Sequence, residues 1–168
     1  MSHFNEHTLE LSIMELFHHE EYIYTSGEEI HKEAGEVLLR DDMRMYLRKR
    51  YQGDGITPLE IKSVLAKLTA DTGLSLYDNN VQTYRLMTEG FSLKREDASL
   101  PDLFIEPIDF DTEGNNIFRI VNQLEIQGRA KRIPDGIVYI NGLPMVVLEF
   151  KSAVKENTTI MDAYTQLT

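Results

Sequence analysis

Asp135, Glu149 and Lys151 are the residues of this sequence whose types and spacing could do chemistry. Two carboxylates offer hard oxygen ligands of the kind that hold Mg²⁺ or Mn²⁺ in preference to Zn²⁺. A lysine beside them can orient a water or take part in moving its proton, and it adds positive charge where a phosphate gathers negative charge. The set suits metal-assisted hydrolysis of a phosphodiester. Glu149 and Lys151 are two residues apart, so in a strand both side chains leave on one face, while Phe150 turns the other way into a core. The Phe150 carbonyl could add a third oxygen to the metal.

These side chains meet only if a hairpin brings them together. Ile137-Val138-Tyr139-Ile140 and Met145-Val146-Val147-Leu148 are apolar on both parities and read as strands buried on both faces. Asn141-Gly142 between them is a strong hairpin signal. A regular two-residue loop pairs Ile140 with Leu143, which puts Asp135 opposite Leu148 and sends Glu149 to the other face. Convergence therefore requires a three-residue or bulged turn, and Pro144, which cannot donate to the ladder, makes an irregularity plausible. The plainer reading is a surface ion pair between Glu149 and Lys151. Glu60-Ile61-Lys62 is another Glu-x-Lys triplet, in a predicted helix, and Pro101-Asp102 another Pro-Asp. Charges at the end of a buried-type strand are odd on packing grounds, and that sets the third case apart.

The elements around the hairpin read as α/β, with a central mixed sheet flanked by helices and a helical N-terminal third. Leu9, Ile13, Leu16 and Phe17 make one apolar stripe, with Glu6 and Glu10 on or beside it. Tyr22-Ile23-Tyr24 reads as a short strand. Val37 to Tyr51 reads as a helix with Val37, Leu38, Met45 and Tyr46 inward and Arg48, Lys49 and Arg50 at its end. Thr57, Pro58 and Glu60 announce the next helix through a capping box. Asn79 or Asn80 caps a further helix that Gly90 closes. From Ile117 to Gln127 the sequence alternates as one strand. From Thr158 a last helix begins, with Ile160, Ala163, Tyr164 and Leu167 inward.

The 168 residues suffice for one domain, 1–168, and 42% hydrophobic residues indicate a folded chain. No cysteine is present, which excludes disulfides and thiolate sites and fits a cytoplasmic protein. No apolar run has the length of a membrane span. A formal charge of −11 argues against a general nucleic-acid coat, so any DNA contact should be local, through metal and a few basic groups. Arg129, Lys131 and Arg132 precede Asp135 and could steer a phosphate, or form a solvated loop. No phosphate-loop motif for ATP occurs.

Several blocks match something specific: Glu36-Val37-Leu38-Leu39, Asn80, Glu89-Gly90-Phe91, Ile108-Asp109-Phe110, Asn115 to Gln123, and Pro134-Asp135 through Asn141-Gly142-Leu143-Pro144 to Lys151. On these residues the chain resembles the N-terminal endonuclease domain of the R (restriction, or motor) subunit of type I restriction enzymes, in the PD-(D/E)xK nuclease superfamily. The resemblance implies that Asp135 and Glu149 are metal-binding acids and Lys151 the catalytic lysine. Glu10 looks like the acid that some members add to the site, with Glu6 the second choice; a solvated helix N-terminus is the plain alternative for both. Gln166 matches the glutamine of a Gln-x-x-x-Tyr motif whose tyrosine would fall beyond Thr168. Ile133 stands where the family often has arginine, with Arg132 beside it. The resemblance further implies Mg²⁺, with Mn²⁺ as a substitute, double-stranded DNA as substrate, and modification and specificity subunits as partners. ATP would act only through motor domains absent from these residues, making this chain a fragment. A stand-alone nuclease of the same superfamily and a catalytically degenerate coupling module remain the alternatives.

Overall fold

The computed structural model describes residues 6–33, 35–70, 73, 75–128, 130–151 and 165, with the side chain of Glu6 left aside. In chain order the elements are helix α1 (Glu6–His19), strand β1 (Ile23–Ser26), helices α2 (Arg40–Arg50), α3 (Pro58–Leu68) and α4 (Leu76–Glu89), and strands β2 (Phe91–Leu93), β3 (Leu103–Ile105), β4 (Phe118–Asn122), β5 (Ile126–Gln127), β6 (Lys131–Arg132), β7 (Gly136–Ile140) and β8 (Leu143–Leu148). The chain divides into two compact units. One is discontinuous, Met1–Val37 with Phe118–Thr168, and the other is Leu38–Ile117 between them in sequence.

The discontinuous unit is a mixed four-stranded sheet in the order β1-β4-β7-β8, which bears out the α/β reading. β1 runs parallel to β4, and the other two pairings are antiparallel. Helix α1 lays Met14 against Ile120 of β4 and Val138 of β7, with Phe17, Tyr22, Leu148 and Phe150 packed around them. Phe150 thus faces a core, as its parity predicted. The inward line of α1 is Glu10, Met14 and Phe17, four and then three residues apart, while Leu16 is 54% exposed. Its buried stripe is therefore rotated from the predicted one, and an acid stands in it. A β-carbon on Gly136 would lie 3.0 Å from Met14 Cε and 3.3 Å from Leu148 Cδ1, so the bare backbone there lets the helix settle on the sheet.

Strand β7 is buried on both faces, as expected of a central strand, but β8 is not. Met145, Val146 and Val147 are 41% to 49% exposed, because β8 is the edge of the sheet and tolerates Pro144 there. The predicted strand from Ile117 to Gln127 also breaks in two. Gln123 takes φ 50° and turns the chain out of β4, so Ile126-Gln127 pairs instead with Lys131-Arg132 in a small separate hairpin.

The second unit is built on α2 and α3. Met43, Tyr46 and Leu47 of α2 and Val64 and Leu65 of α3 are at most 1% exposed. Helix α2 begins at Arg40 and not at Val37, and Met45 lies outward. Thr57 and Glu60 form the predicted capping box on α3. Helix α4 is capped by Ser75, whose hydroxyl accepts from the Asp78 N–H, so Asn79 and Asn80 lie inside it; Gly90 closes it at φ 68° as expected. The helix predicted from Thr158 lies outside the described residues except for Thr165, which is helical.

Candidate active site

The ends of β4, β7 and β8 bring the acids together. The Asn141-Gly142 loop holds both residues at positive φ, 52° and 80°, the backbone of a tight two-residue hairpin. Ile140 pairs with Leu143 and Tyr139 with Pro144, but Val138 pairs with Val146. Met145 is thus an extra residue in β8, and the bulge shifts the register by one from there on. The last β7–β8 pair is Gly136 with Leu148, so Asp135 and Glu149 are the next residues on either side of it. The last β4–β7 pair is Asn122 with Gly136, which places Gln123 on the other flank of Asp135. The irregular hairpin that convergence required is present, one residue after the turn and Pro144.

Lys151 Nζ donates to Glu149 Oε1 at 2.9 Å, and the Glu149 side chain is only 5% exposed. Asp135 Oδ2 accepts the Phe150 N–H at 2.5 Å, which ties the loop before β7 to the end of β8. Burial pushes the Asp135 carboxyl above its ordinary range. The Phe150 N–H opposes this, Glu149 and Glu10 push it further up, and Lys151 offsets only part of the excess. Asp135 is therefore held among like charges that one lysine does not balance.

Glu10 is buried on the sheet side of α1. Its Oε1 accepts from Asn122 Nδ2 at 2.9 Å and Gln123 Nε2 at 3.2 Å. The Tyr24 hydroxyl donates to Asn122 Oδ1 at 3.1 Å, completing a chain from β1 through β4 to the helix. Of the residues singled out from sequence, Asp135, Glu149, Lys151 and Glu10 thus gather at one edge of one unit. Gln166 lies outside the described residues, as do Arg129 and the side chain of Glu6. Asn122 and Gln123 escaped notice as functional residues, because they read only as alternating strand positions. Two consecutive amides at a strand end near an acid-bearing helix were the available signal.

A divalent cation fits this donor set. Among the described residues no three acidic or histidine side chains form a closed metal cage. Mg²⁺ does not need one: it is commonly held by one or two carboxylates, with water completing an octahedral shell. Asp135 and Glu149 would be those carboxylates, and the excess negative charge around Asp135 is what a cation would relieve. Beside Glu149 opens a cleft of about 480 Å³ with Lys131 and Arg132 on its wall and Ile126, Ile133 and Val147 as its apolar lining. Lys131 pairs with Glu125 at 2.7 Å. Arg132 forms no ion pair among the described residues, and a backbone phosphate is the kind of group that would meet it.

Comparison with known proteins points the same way. Residues 3–168 match the family described as type I restriction enzyme R protein N terminus. The type I restriction enzyme HindI endonuclease subunit of Haemophilus influenzae is 35% identical over 109 residues, covering 63% of this chain and 10% of that protein. The type I restriction enzyme SsaAORF53P endonuclease subunit of Staphylococcus saprophyticus is 26% identical over 167 residues, covering 97% of this chain and 16% of that protein. The chain spans between 10% and 16% of the length of these curated relatives. With a match over almost its whole length, it belongs to the family of type I restriction enzyme R protein N-termini.

Proposed function

We propose that this chain is the endonuclease domain of a type I restriction enzyme R subunit and hydrolyses DNA phosphodiester bonds with Mg²⁺, for which Mn²⁺ can substitute. The observation that carries the reading is the bulge at Met145, which sets Asp135 and Glu149 on either side of one strand pair with Lys151 beside them. Asp135 and Glu149 would hold the cation through their carboxylate oxygens. When bound, the cation supplies positive charge against the charge developing on the phosphate and lowers the pKa of water. Lys151, now paired with Glu149, is within reach of the same place to orient the attacking water or share its proton. Arg132 would meet the DNA backbone. In the whole enzyme the domain would work beside ATP-driven translocation of double-stranded DNA, with modification and specificity subunits supplying sequence recognition. The acidic composition of the chain is compatible with that division of labour, because this domain need not find DNA alone.

One contact favours the alternative of a non-catalytic coupling module, namely the Glu149–Lys151 ion pair, which could be purely structural. Asp135 weighs against it. A carboxylate kept for structure is ordinarily held below its usual range by its partners, whereas Asp135 is pushed above it. The test is cleavage of a supercoiled plasmid by the complete enzyme. Asp135→Ala and Lys151→Ala should each slow cutting by roughly a hundredfold or more while ATP hydrolysis continues. Undiminished cutting by either variant contradicts the assignment.

A further inference from the structure

Gln123 has a backbone that its surroundings do not explain. Among the described residues three non-glycine residues have positive φ: Glu21, Gln123 and Asn141. Glu21 stands just past the end of α1, where a left-handed residue commonly terminates a helix, and Asn141 is in the hairpin turn. Gln123 is in neither setting. It follows the last residue of β4, and its strained backbone persists only because neighbouring structure imposes it.

Gly27 is part of what imposes it. A β-carbon there would lie 2.5 Å from the Gln123 carbonyl oxygen and 2.6 Å from Leu124 Cα, all main-chain atoms that cannot swing aside. Buried Leu124 anchors the turn from the other side. The outcome of this construction is the position of one amide. Gln123 Nε2 donates to Glu10 Oε1, the same oxygen that accepts from Asn122 Nδ2, and Asn122 is in turn held by the Tyr24 hydroxyl. The other oxygen, Glu10 Oε2, has only the exposed His7 ring at 3.9 Å. A buried carboxylate is thus clamped at one oxygen by two neutral amides, beside an Asp135 whose charge is already in excess.

We propose that Gln123, seconded by Asn122, is a positioning residue: it fixes Glu10 Oε1 so that Oε2 is presented to the divalent cation held by Asp135 and Glu149. The inference rests on the metal-dependent reading above and goes beyond it in assigning a role to the strained turn. Neither amide touches the cation. They act through Glu10, in the way that groups behind a metal ligand set its orientation.

The probe is Mn²⁺ binding to the 168-residue chain, measured by titration calorimetry and by the electron paramagnetic resonance of free Mn²⁺, with thermal unfolding alongside. Gln123→Gly removes the amide and relieves the backbone, so the unfolding midpoint should hold or rise while the Mn²⁺ dissociation constant increases about tenfold. Glu10→Gln should weaken binding by at least as much, and adding Gln123→Gly to it should weaken it no further. If Gln123→Gly lowers the unfolding midpoint, Gln123→Asn takes its place with the same expected weakening, because Asn tolerates the left-handed backbone and is one carbon too short to reach Glu10. Wild-type Mn²⁺ affinity in the stable Gln123 variant overturns the positioning role. Wild-type affinity in Glu10→Gln overturns it too, yet leaves the metal reading standing as long as Asp135→Ala abolishes binding. Retained affinity in Asp135→Ala sinks the metal reading itself.

Discussion

At Asp135 the folded chain holds a charge that its surroundings disfavour. Burial comes first, opposed by the Phe150 N–H; Glu149 and Glu10 add to it, and Lys151 compensates in part. A carboxyl whose pKa is raised by folding is most favourable to stability below the ordinary carboxylate range. That contribution is lost as pH rises through the raised value. Asp135→Asn should therefore raise the thermal midpoint of the metal-free chain by a few degrees at neutral pH, and the gain should vanish in acid. Mg²⁺ should stabilise the wild type and leave the variant nearly unchanged, because binding to the folded state alone shifts the midpoint by mass action. Calorimetry across pH, with and without Mg²⁺, reads both effects. The types of the key residues were legible in sequence because two acids and a lysine after a buried-type strand are hard to place on packing grounds. The amides of Asn122 and Gln123 were not, since polar side chains at a strand end have many ordinary uses.

At the scale of elements, the hairpin and its need for an irregularity were readable from strand parity alone. A two-residue loop separates Asp135 from Glu149, and one extra residue reunites them. The position of that residue was not readable, since Met145 looks like any other apolar strand residue. Nor was the exposure of β8 legible, because whether a strand is central or an edge depends on partners far away in sequence. The break at Gln123 leaves no mark either, as positive φ at a glutamine comes from its neighbours and not from its own preference. Gly27 is one such neighbour. Gly27→Ala should destabilise the chain by about 1–3 kcal/mol, since the added carbon meets main chain on every side. It should also weaken Mn²⁺ binding by displacing Gln123. Chemical denaturation and Mn²⁺ titration of the same sample measure the two consequences.

At the scale of the molecule, the metal-site acids and the lysine lie within the discontinuous unit, and the Leu38–Ile117 unit has its own electrostatic anchor. Arg95 Nε meets Glu60 Oε1 at 2.8 Å with both side chains under 8% exposed, and the same guanidinium donates to the Asp54 and Gly55 carbonyls. Burial pushes the Glu60 carboxyl up, but the Thr57 N–H, Arg95 and the Glu96 N–H together hold it below its usual range. Its contribution is present above the ordinary carboxylate pKa and is lost as pH falls through the depressed value, the reverse of Asp135. Arg95→Ala strands a buried charge and should cost about 3–5 kcal/mol by denaturant unfolding, a loss that shrinks in acid where Glu60 protonates.

The central claim is that Asp135 and Glu149 hold one cation between them. Anomalous diffraction from a crystal of the chain soaked in Mn²⁺ tests it most directly. A peak about 2.0–2.2 Å from a carboxylate oxygen of each residue is the predicted result. Mn²⁺ bound elsewhere, with neither carboxylate in contact, contradicts the account.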